Sequence, residues 1–490
     1  MTSPRDLCFT PATELVKLYR ARKASPLEVM QEILSRIDAV NPDVNAIVTL
    51  VRDAALRDAR RATAALRRGA ALPPLFGVPV GIKDVTPTKG IRTTFGSKLF
   101  ESHVPDEDAL VVQRLRAAGA IVLGKTNTPE FAFGPNTVNT VFGATRNPWN
   151  LALTAGGSSG GSAAALATGM CPLAEGTDLG GSLRGPASYC GVVGFRTTPG
   201  LIPRVPSVLA WDTYSVEGPM ARTIADTALM LSVMAGVDDR SPISYDVDPR
   251  AFGKAVKAPS VKGCRIAWTS DLGGLVTIDH EVGAVCERAV GVLRSAGARV
   301  EADCPDMSDV PEIVRLTRGL LMVARHADKL PEHRAVLQQG LVENTEQGLA
   351  LTSIDVARGE LLRTRQWQRV HEFLAERDLL ITPTTATPPF PLEQPHALLD
   401  VNGRPVGTAM QRSYLTYAFS VLALPAISIP CGFTSRGLPV GLQIVGKRRG
   451  ETAVLRAAAA FEAVQPWAAH VPPVVQRLSD PGSRARTAIR

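Results

Sequence analysis

Several features that announce particular chemistries are missing from this 490-residue sequence. Its seven cysteines, at positions 8, 171, 190, 264, 286, 304 and 431, are odd in number, far apart and without a Cys-x-x-Cys pair. That is the pattern of a reduced chain, so a cytoplasmic location is expected rather than a disulfide scaffold. The seven histidines, at 103, 280, 326, 333, 371, 396 and 470, form no His-x-x-x-His or His-Cys cluster, and no metal is expected. No apolar segment follows Met1 as a secretory signal would require. The most apolar long run, residues 414–430, is interrupted by Thr416, Ser420, Pro425, Ser428 and Pro430, which suits a buried element and turn better than a membrane span.

Charge is also unspecialised. The formal net charge is +8, but the excess is scattered through short runs such as Arg60-Arg61, Arg67-Arg68 and Lys447-Arg448-Arg449, with no interleaved aromatic residues. These read as solvated faces, so neither nucleic acid nor membrane is expected as a partner. The basic tail 484–490 is expected to fray, and no repeat of fixed period appears, which excludes a solenoid. What remains is 45% hydrophobic and 20% charged, an ordinary globular composition with ample core material. Length alone would predict roughly three domains.

Periodicity supplies the elements. Ser25-Pro26-Leu27-Glu28 combines a capping box with proline at the first helical position, and Leu27, Met30, Leu34 and Ile37 follow at helical spacing until Asn41-Pro42, where the helix is expected to end. A second, Ala/Arg-rich helix spans 51–68, and both are assigned a packing role. Thereafter helices and short apolar strands alternate: strand 75–84, helix 106–119 before strand 120–124, helix 162–169 before strand 171–175, and helix 371–377 before strand 378–382. Strands at 424–431 and 438–446 precede a helix at 451–464. The alternation predicts an α/β fold with a largely buried sheet. Residues 241–348 keep the periodicity but carry no chemical motif.

Residues 154–186 hold two Gly-rich turns joined by an Ala-rich segment. The first sets Ser158, Ser159 and Ser162 among Gly156, Gly157, Gly160 and Gly161; the second places Ser182 after Gly180 and Gly181. A small hydroxyl beside bare amides suits acyl transfer. A phosphate loop is disfavoured, because no Gly-Lys-Ser/Thr anchor follows and no Gly-x-Gly-x-x-Gly is present. The nucleophile elbow Gly-x-Ser-x-Gly is matched at 156–160 only in a loop so rich in Gly and Ser that the match carries little, and Ser182 lacks it. A distant histidine as base stays open. So does a lysine brought down from about 10.4 by burial; Lys83, which emerges from the apolar run 75–82, answers that description on paper, although a surface lysine at a strand end answers it too.

Gly77-Val78-Pro79-Val80-Gly81-Ile82-Lys83-Asp84, Gly124-Lys125-Thr126-Asn127, the stretch 156–162 and Gly176-Thr177-Asp178-Leu179-Gly180-Gly181-Ser182-Leu183-Arg184, with further matches at Pro383 and 438–446, resemble the amidase signature family over nearly the whole chain. The resemblance implies one large α/β domain over 1–490, a mixed twisted central sheet covered by helices on both faces, and so displaces the three-domain expectation. Within it fall N-terminal helices (1–70), a catalytic core (75–245), a variable helical, substrate-specific region (246–350), the C-terminal part of the core (351–475) and a tail (476–490).

The resemblance further implies Ser182 as nucleophile, Ser158 as a proton-relaying serine after a cis Gly157–Ser158 peptide, and Lys83 as general base. It also implies an oxyanion hole from the backbone N–H groups of Leu179, Gly180, Gly181 and Ser182, and no cofactor. Ser159 is expected to support its loop, and Asp178 with Arg184 to orient the second turn as an ion pair, Arg184 having a substrate carboxylate as its alternative partner; Asp84 and Thr177 are expected behind them. Departures from the family pattern, Thr154-Ala155 for Thr-Pro and Phe195-Arg196-Thr197-Thr198-Pro199 for Leu-Lys-Pro-Thr, touch none of these positions.

The activity implied is hydrolysis of a small or aryl carboxamide, ester or carbamate through an acyl-enzyme. The amidase subunit of a tRNA-dependent amidotransferase is the second reading, and an inert binding scaffold the third, disfavoured by the presence of Lys83, Ser158 and Ser182. The expected partner is a small-molecule amide, with a homodimer allowed, and the substrate is expected to meet residues 131–136, 211–214 and 250–350.

Overall fold

The computed structural model describes residues 6–69, 71–393, 400–406 and 410–477, so the expected frayed tail lies outside the described residues. The short apolar runs become the strands of one sheet: β1 (Ile47–Leu50), β2 (Pro79–Lys83), β3 (Ile121–Thr126), β4 (Leu173–Asp178), β5 (Val193–Arg196), β6 (Val216–Ala221), β7 (Arg265–Trp268), β8 (Arg299–Ala302), β9 (Leu379–Pro383), β10 (Ala426–Phe433) and β11 (Pro439–Gly446). Their order across the sheet is β1-β3-β2-β4-β6-β5-β10-β11-β9-β7-β8. β2 runs parallel to both β3 and β4, the steps from β4 through to β9 are antiparallel, and β9, β7 and β8 are parallel again. The fold is thus the expected α/β domain with a mixed central sheet.

Alternation along the strands shows why both faces are covered. Val80 and Ile82 of β2, Val122 of β3, Ile381 of β9 and Ile444 of β11 enter one core with Val111, Leu115, Leu231, Val282 and Phe461 from helices Leu110–Ala117, Ile224–Met234, His280–Ser295 and Glu451–Val464. The residues that point the other way, Ile121, Leu123 and Ala174, pack with Ala163, Leu166 and Ala187 of helices Gly160–Ala167 and Arg184–Cys190 and with Leu183 just before the second. Farther along that face Leu380 and Val445 meet Leu415 and Phe419 of helix Tyr414–Val421.

Three expectations are corrected. The helix capped by Ser25 runs through Pro42 to Val44. A proline this close to the C-terminus removes only one late donor; the helix stops instead at Asn45, which adopts φ 55, while the Asn41 side chain accepts the N–H groups of Ala46 and Ile47. The helix expected at 371–377 is the end of a much longer one, Ser353–Ala375, started by a capping box from Thr352 and Asp355. The region 246–350 is not purely helical, since it supplies β7 and β8 at the sheet edge. Among the described residues no helix is long and apolar enough to cross a membrane.

This layout brings the motif residues to one place. Lys83 ends β2 and Asp178 ends the adjacent, parallel β4, so the second Gly-rich turn begins where β2 finishes, at the carboxyl edge where open α/β sheets bind ligands. The first turn leads into helix Gly160–Ala167, which lies so close to β3 that a Cβ on Gly161 would stand 2.2 Å from Asn127 N and 2.7 Å from Ala46 O. Both contacts are backbone and cannot turn aside. Gly161→Ala is therefore expected to cost about 1–3 kcal/mol or more, read as a lower urea midpoint with unchanged slope; an unchanged midpoint would contradict this packing.

Candidate active site

Every residue of β2 is buried, Lys83 included, because the strand lies between two neighbours with helices on both faces. The Lys83 ammonium must find partners inside, and it finds hydroxyls: Nζ lies 2.6 Å from Ser158 Oγ, 3.0 Å from Ser159 Oγ and 2.8 Å from Thr177 Oγ1. No carboxylate forms an ion pair with it among the described residues. Burial therefore prevails and brings Lys83 down from 10.5 to about 7, against the opposing pull of Glu175 and Asp178. The peptide between Gly157 and Ser158 is cis.

Glu175, for which the sequence suggests no role, is the carboxylate behind the lysine. It accepts the Lys83 backbone N–H at 3.0 Å and the Thr86 hydroxyl at 3.1 Å, and burial holds its own carboxyl above the usual range. Lys125 is buried alongside, donating to Thr86 O and, at 2.7 Å, to Thr88 Oγ1; burial lowers it to about 8. Asp84 accepts from Thr94 N and Thr94 Oγ1. The signal for Glu175 is its place inside an apolar strand, where a charged residue must have a partner; Lys125 shares that signal and also lies in the motif Gly124-Lys125-Thr126-Asn127.

The second turn is held by Asp178. Its carboxylate accepts Gly181 N at 2.8 Å and Leu183 N at 3.1 Å, and pairs with Arg184 Nε and Nη2, each at 3.0 Å. Burial alone would raise Asp178, but Arg184 and Arg196 outweigh it and set the group at about 2. Arg184 also donates to Thr416 O, Gln443 Oε1 and Ser420 Oγ, so all five of its N–H donors are used within the chain and none faces a ligand. Of its two expected partners, the geometry leaves the ion pair. Of the four amides expected as an oxyanion hole, that of Gly181 is likewise committed; those of Leu179, Gly180 and Ser182 have no hydrogen-bond partner among the described residues. Gly180 has no room for a side chain, since a Cβ there would be 2.1 Å from the Tyr417 ring.

The two turns are joined through the backbone, Ser159 N donating to Ser182 O at 3.1 Å. Ser158 and Ser182 both line a cavity of about 720 Å³, but their hydroxyls are not hydrogen-bonded to each other, and half-buried Ser182 Oγ has no partner among the described residues. Of the segments expected to meet substrate, 131–135 line the cavity and Asn136 does not; in place of 211–214 the wall uses Arg204, 206–209, Ser215 and Glu217. Trp211 is 75% exposed. From 250–350 come Arg318, Met322, Arg325, His326, Lys329, Gly340, Glu343 and Asn344, and after them 384–386, Phe390, Met410, Arg412, Ser413, Thr416 and Tyr417. Among the described residues no cluster of His, Cys, Asp or Glu is placed to hold a metal ion.

A family model described as Amidase matches residues 28–455. The chain belongs to the amidase signature family. This amidase is 40% identical to an acylamidase of Rhodococcus erythropolis over 466 residues, which are 95% of this chain and 97% of that one. It is 37% identical to a glutamyl-tRNA(Gln) amidotransferase subunit of Moorella thermoacetica over 484 residues, 93% of this chain and 97% of the relative. Among solved structures, a bacterial aryl acylamidase of the amidase signature family superposes with a TM-score of 0.86 at 30% identity, covering 94% of this amidase and 97% of the other chain. Enzymes of this kind hydrolyse carbon–nitrogen bonds, and the amidase is one of them.

Arg184→Met in this amidase leaves Asp178 with Arg196 as its one guanidinium partner and takes a donor from each of Thr416 O, Ser420 Oγ and Gln443 Oε1. The variant is expected to lose about 3–5 kcal/mol of stability, seen in the urea midpoint; a loss below about 1 kcal/mol, the range of an exposed pair, would contradict the role given to the Asp178–Arg184 contact.

Proposed function

We propose that the protein hydrolyses the C–N bond of a small or aryl carboxamide through an acyl-enzyme formed on Ser182. The observation that carries this reading is buried Lys83, brought to about 7, with its Nζ at 2.6 Å from the Oγ of Ser158, which lines the same cavity as Ser182. At neutral pH such a lysine has its neutral amine form available to accept a proton. Ser182 Oγ attacks the amide carbon while its proton passes to Ser158 and the Ser158 proton to Lys83. The link between the two serines closes with substrate in place, as catalytic hydrogen bonds do. The carbonyl oxygen becomes an oxyanion held by the uncommitted amides of Leu179, Gly180 and Ser182. The proton returns along the same path to the nitrogen, the C–N bond breaks and the amine leaves; water, deprotonated by the same relay, then releases the acid and restores Ser182.

A glutamine-hydrolysing component of a tRNA-dependent amidotransferase is the second reading, supported by the similarity to the Moorella thermoacetica protein. Ammonia release from glutamine, measured beside turnover of simple anilides on the purified chain, separates the two. Turnover of anilides with none of glutamine removes the second reading, and glutaminase activity dependent on a co-purifying partner removes the first.

For the relay, Lys83→Ala is expected to lower kcat by about 100- to 10,000-fold with little change in KM, and Ser182→Ala to abolish turnover. The sign of the pH dependence follows from the base being the neutral form: kcat/KM falls as pH drops through about 7. Glu175 raises Lys83, so Glu175→Gln, which keeps an acceptor for the Lys83 N–H, moves that acidic limb to lower pH. A wild-type limb above pH 9, or a limb that Glu175→Gln moves upward, would sink the assignment of Lys83.

A further inference from the structure

Arg412 stands in the cavity wall in a 3₁₀ turn, Gln411–Ser413, that leads into helix Tyr414–Val421. It is 9% exposed, and its guanidinium carbon lies over the Phe390 ring, 4.7 Å from the centroid. That contact uses none of its N–H donors. Nε is sealed from solvent without a partner, and the guanidinium makes no hydrogen bond or ion pair with any described residue. Neighbouring cations of the wall are engaged: Arg325 pairs with Asp212, and Arg318 donates to Asn344 and Tyr417.

A guanidinium withdrawn from water with no acceptor is costly, because it cannot shed its charge. Its fork fits a carboxylate, two N–H groups to two oxygens. A single cation beside the apolar faces of Phe390 and Tyr189 suits one negative charge rather than the two of a phosphate. Position sets the reach. Arg412, Thr416 and Ser420 follow one another at spacings of four; Thr416 Oγ1 donates to Gly180 O at 2.6 Å, and Ser420 Oγ receives Arg184. Arg412 is therefore about one helical turn, roughly 5 Å, from the residue that braces the Ser182 turn.

We propose that Arg412 anchors a substrate carboxylate, so that this enzyme prefers short amides that carry an acid group a few bonds from the scissile carbonyl. The proposal rests on the reading of this cavity as the amide site. The acid group belongs either to the acyl part or to the leaving amine, and substrates distinguish the two: 4-anilino-4-oxobutanoate against pentananilide, and 4-acetamidobenzoate against 4′-methylacetanilide. The wild-type enzyme is expected to favour the charged member of one pair. In Arg412→Met the ratio of kcat/KM values within that pair should fall about 10- to 100-fold, the range of a hydrogen bond to a charged group, chiefly through KM, and Arg412→Lys should restore part of it. A second measurement does not depend on the nucleophile: calorimetric binding of succinate and of 4-aminobenzoate to the Ser182→Ala protein, with and without Arg412→Met. Binding of one of them that disappears with Arg412→Met supports the anchor even if Ser182→Ala retains turnover and the nucleophile assignment falls. Equal losses on charged and neutral substrates, or carboxylate binding indifferent to Arg412, overturn it.

Discussion

The arrangement depends on one constraint, a lysine amine sealed from water with hydroxyls rather than carboxylates around it. Moving Lys83 from 10.5 to about 7 represents about 5 kcal/mol against its charged form, more than any single hydrogen bond in the site returns. The scaffold holds it there because β2 is buried between β3 and β4, and because the first Gly-rich turn brings Ser158 and Ser159, and β4 brings Thr177, to its tip. A salt bridge in that position would keep the lysine charged and useless as a base at neutral pH.

Two carboxylates in the same core show how partners decide an outcome that burial alone does not. Asp178 faces two guanidiniums and two backbone amides and is held at about 2, a fixed negative post for the Ser182 turn. Glu175 has a backbone N–H, a hydroxyl and only indirect cations, and burial keeps it above the ordinary range. The first fixes geometry. The second, on the strand beside the lysine, raises Lys83 against the effect of burial. The side chain of Arg184 serves the first role completely, whereas Arg412 lines the cavity with its Nε unpartnered.

How much of this is legible in the sequence follows from the range of each interaction. The β2 and β4 strands, their motif residues and the helices after them can be placed because apolar runs and Gly-rich turns are local signals. The first long helix ends two residues beyond the expected Asn41-Pro42 stop, because a proline late in a helix weighs less than one in its middle. Residues 211–214 stand out for their aromatic rings, yet Trp211 points to solvent while the chain just before it reaches the cavity. Arg412 carries no local signal at all: its meaning comes from what does not surround it. Nor does spacing reveal that the Gly181 amide is already committed to Asp178.

The central claim is that a neutral Lys83 activates Ser182 through Ser158. It is tested most directly by the rate at which a fluorophosphonate labels the enzyme as a function of pH, with the adduct located by mass spectrometry. The account predicts a single adduct on Ser182 whose rate of formation falls as pH drops through about 7 and collapses in Lys83→Ala and Ser158→Ala. An adduct on another residue, or labelling of Ser182 that is insensitive to pH across this range and to loss of Lys83, would contradict it.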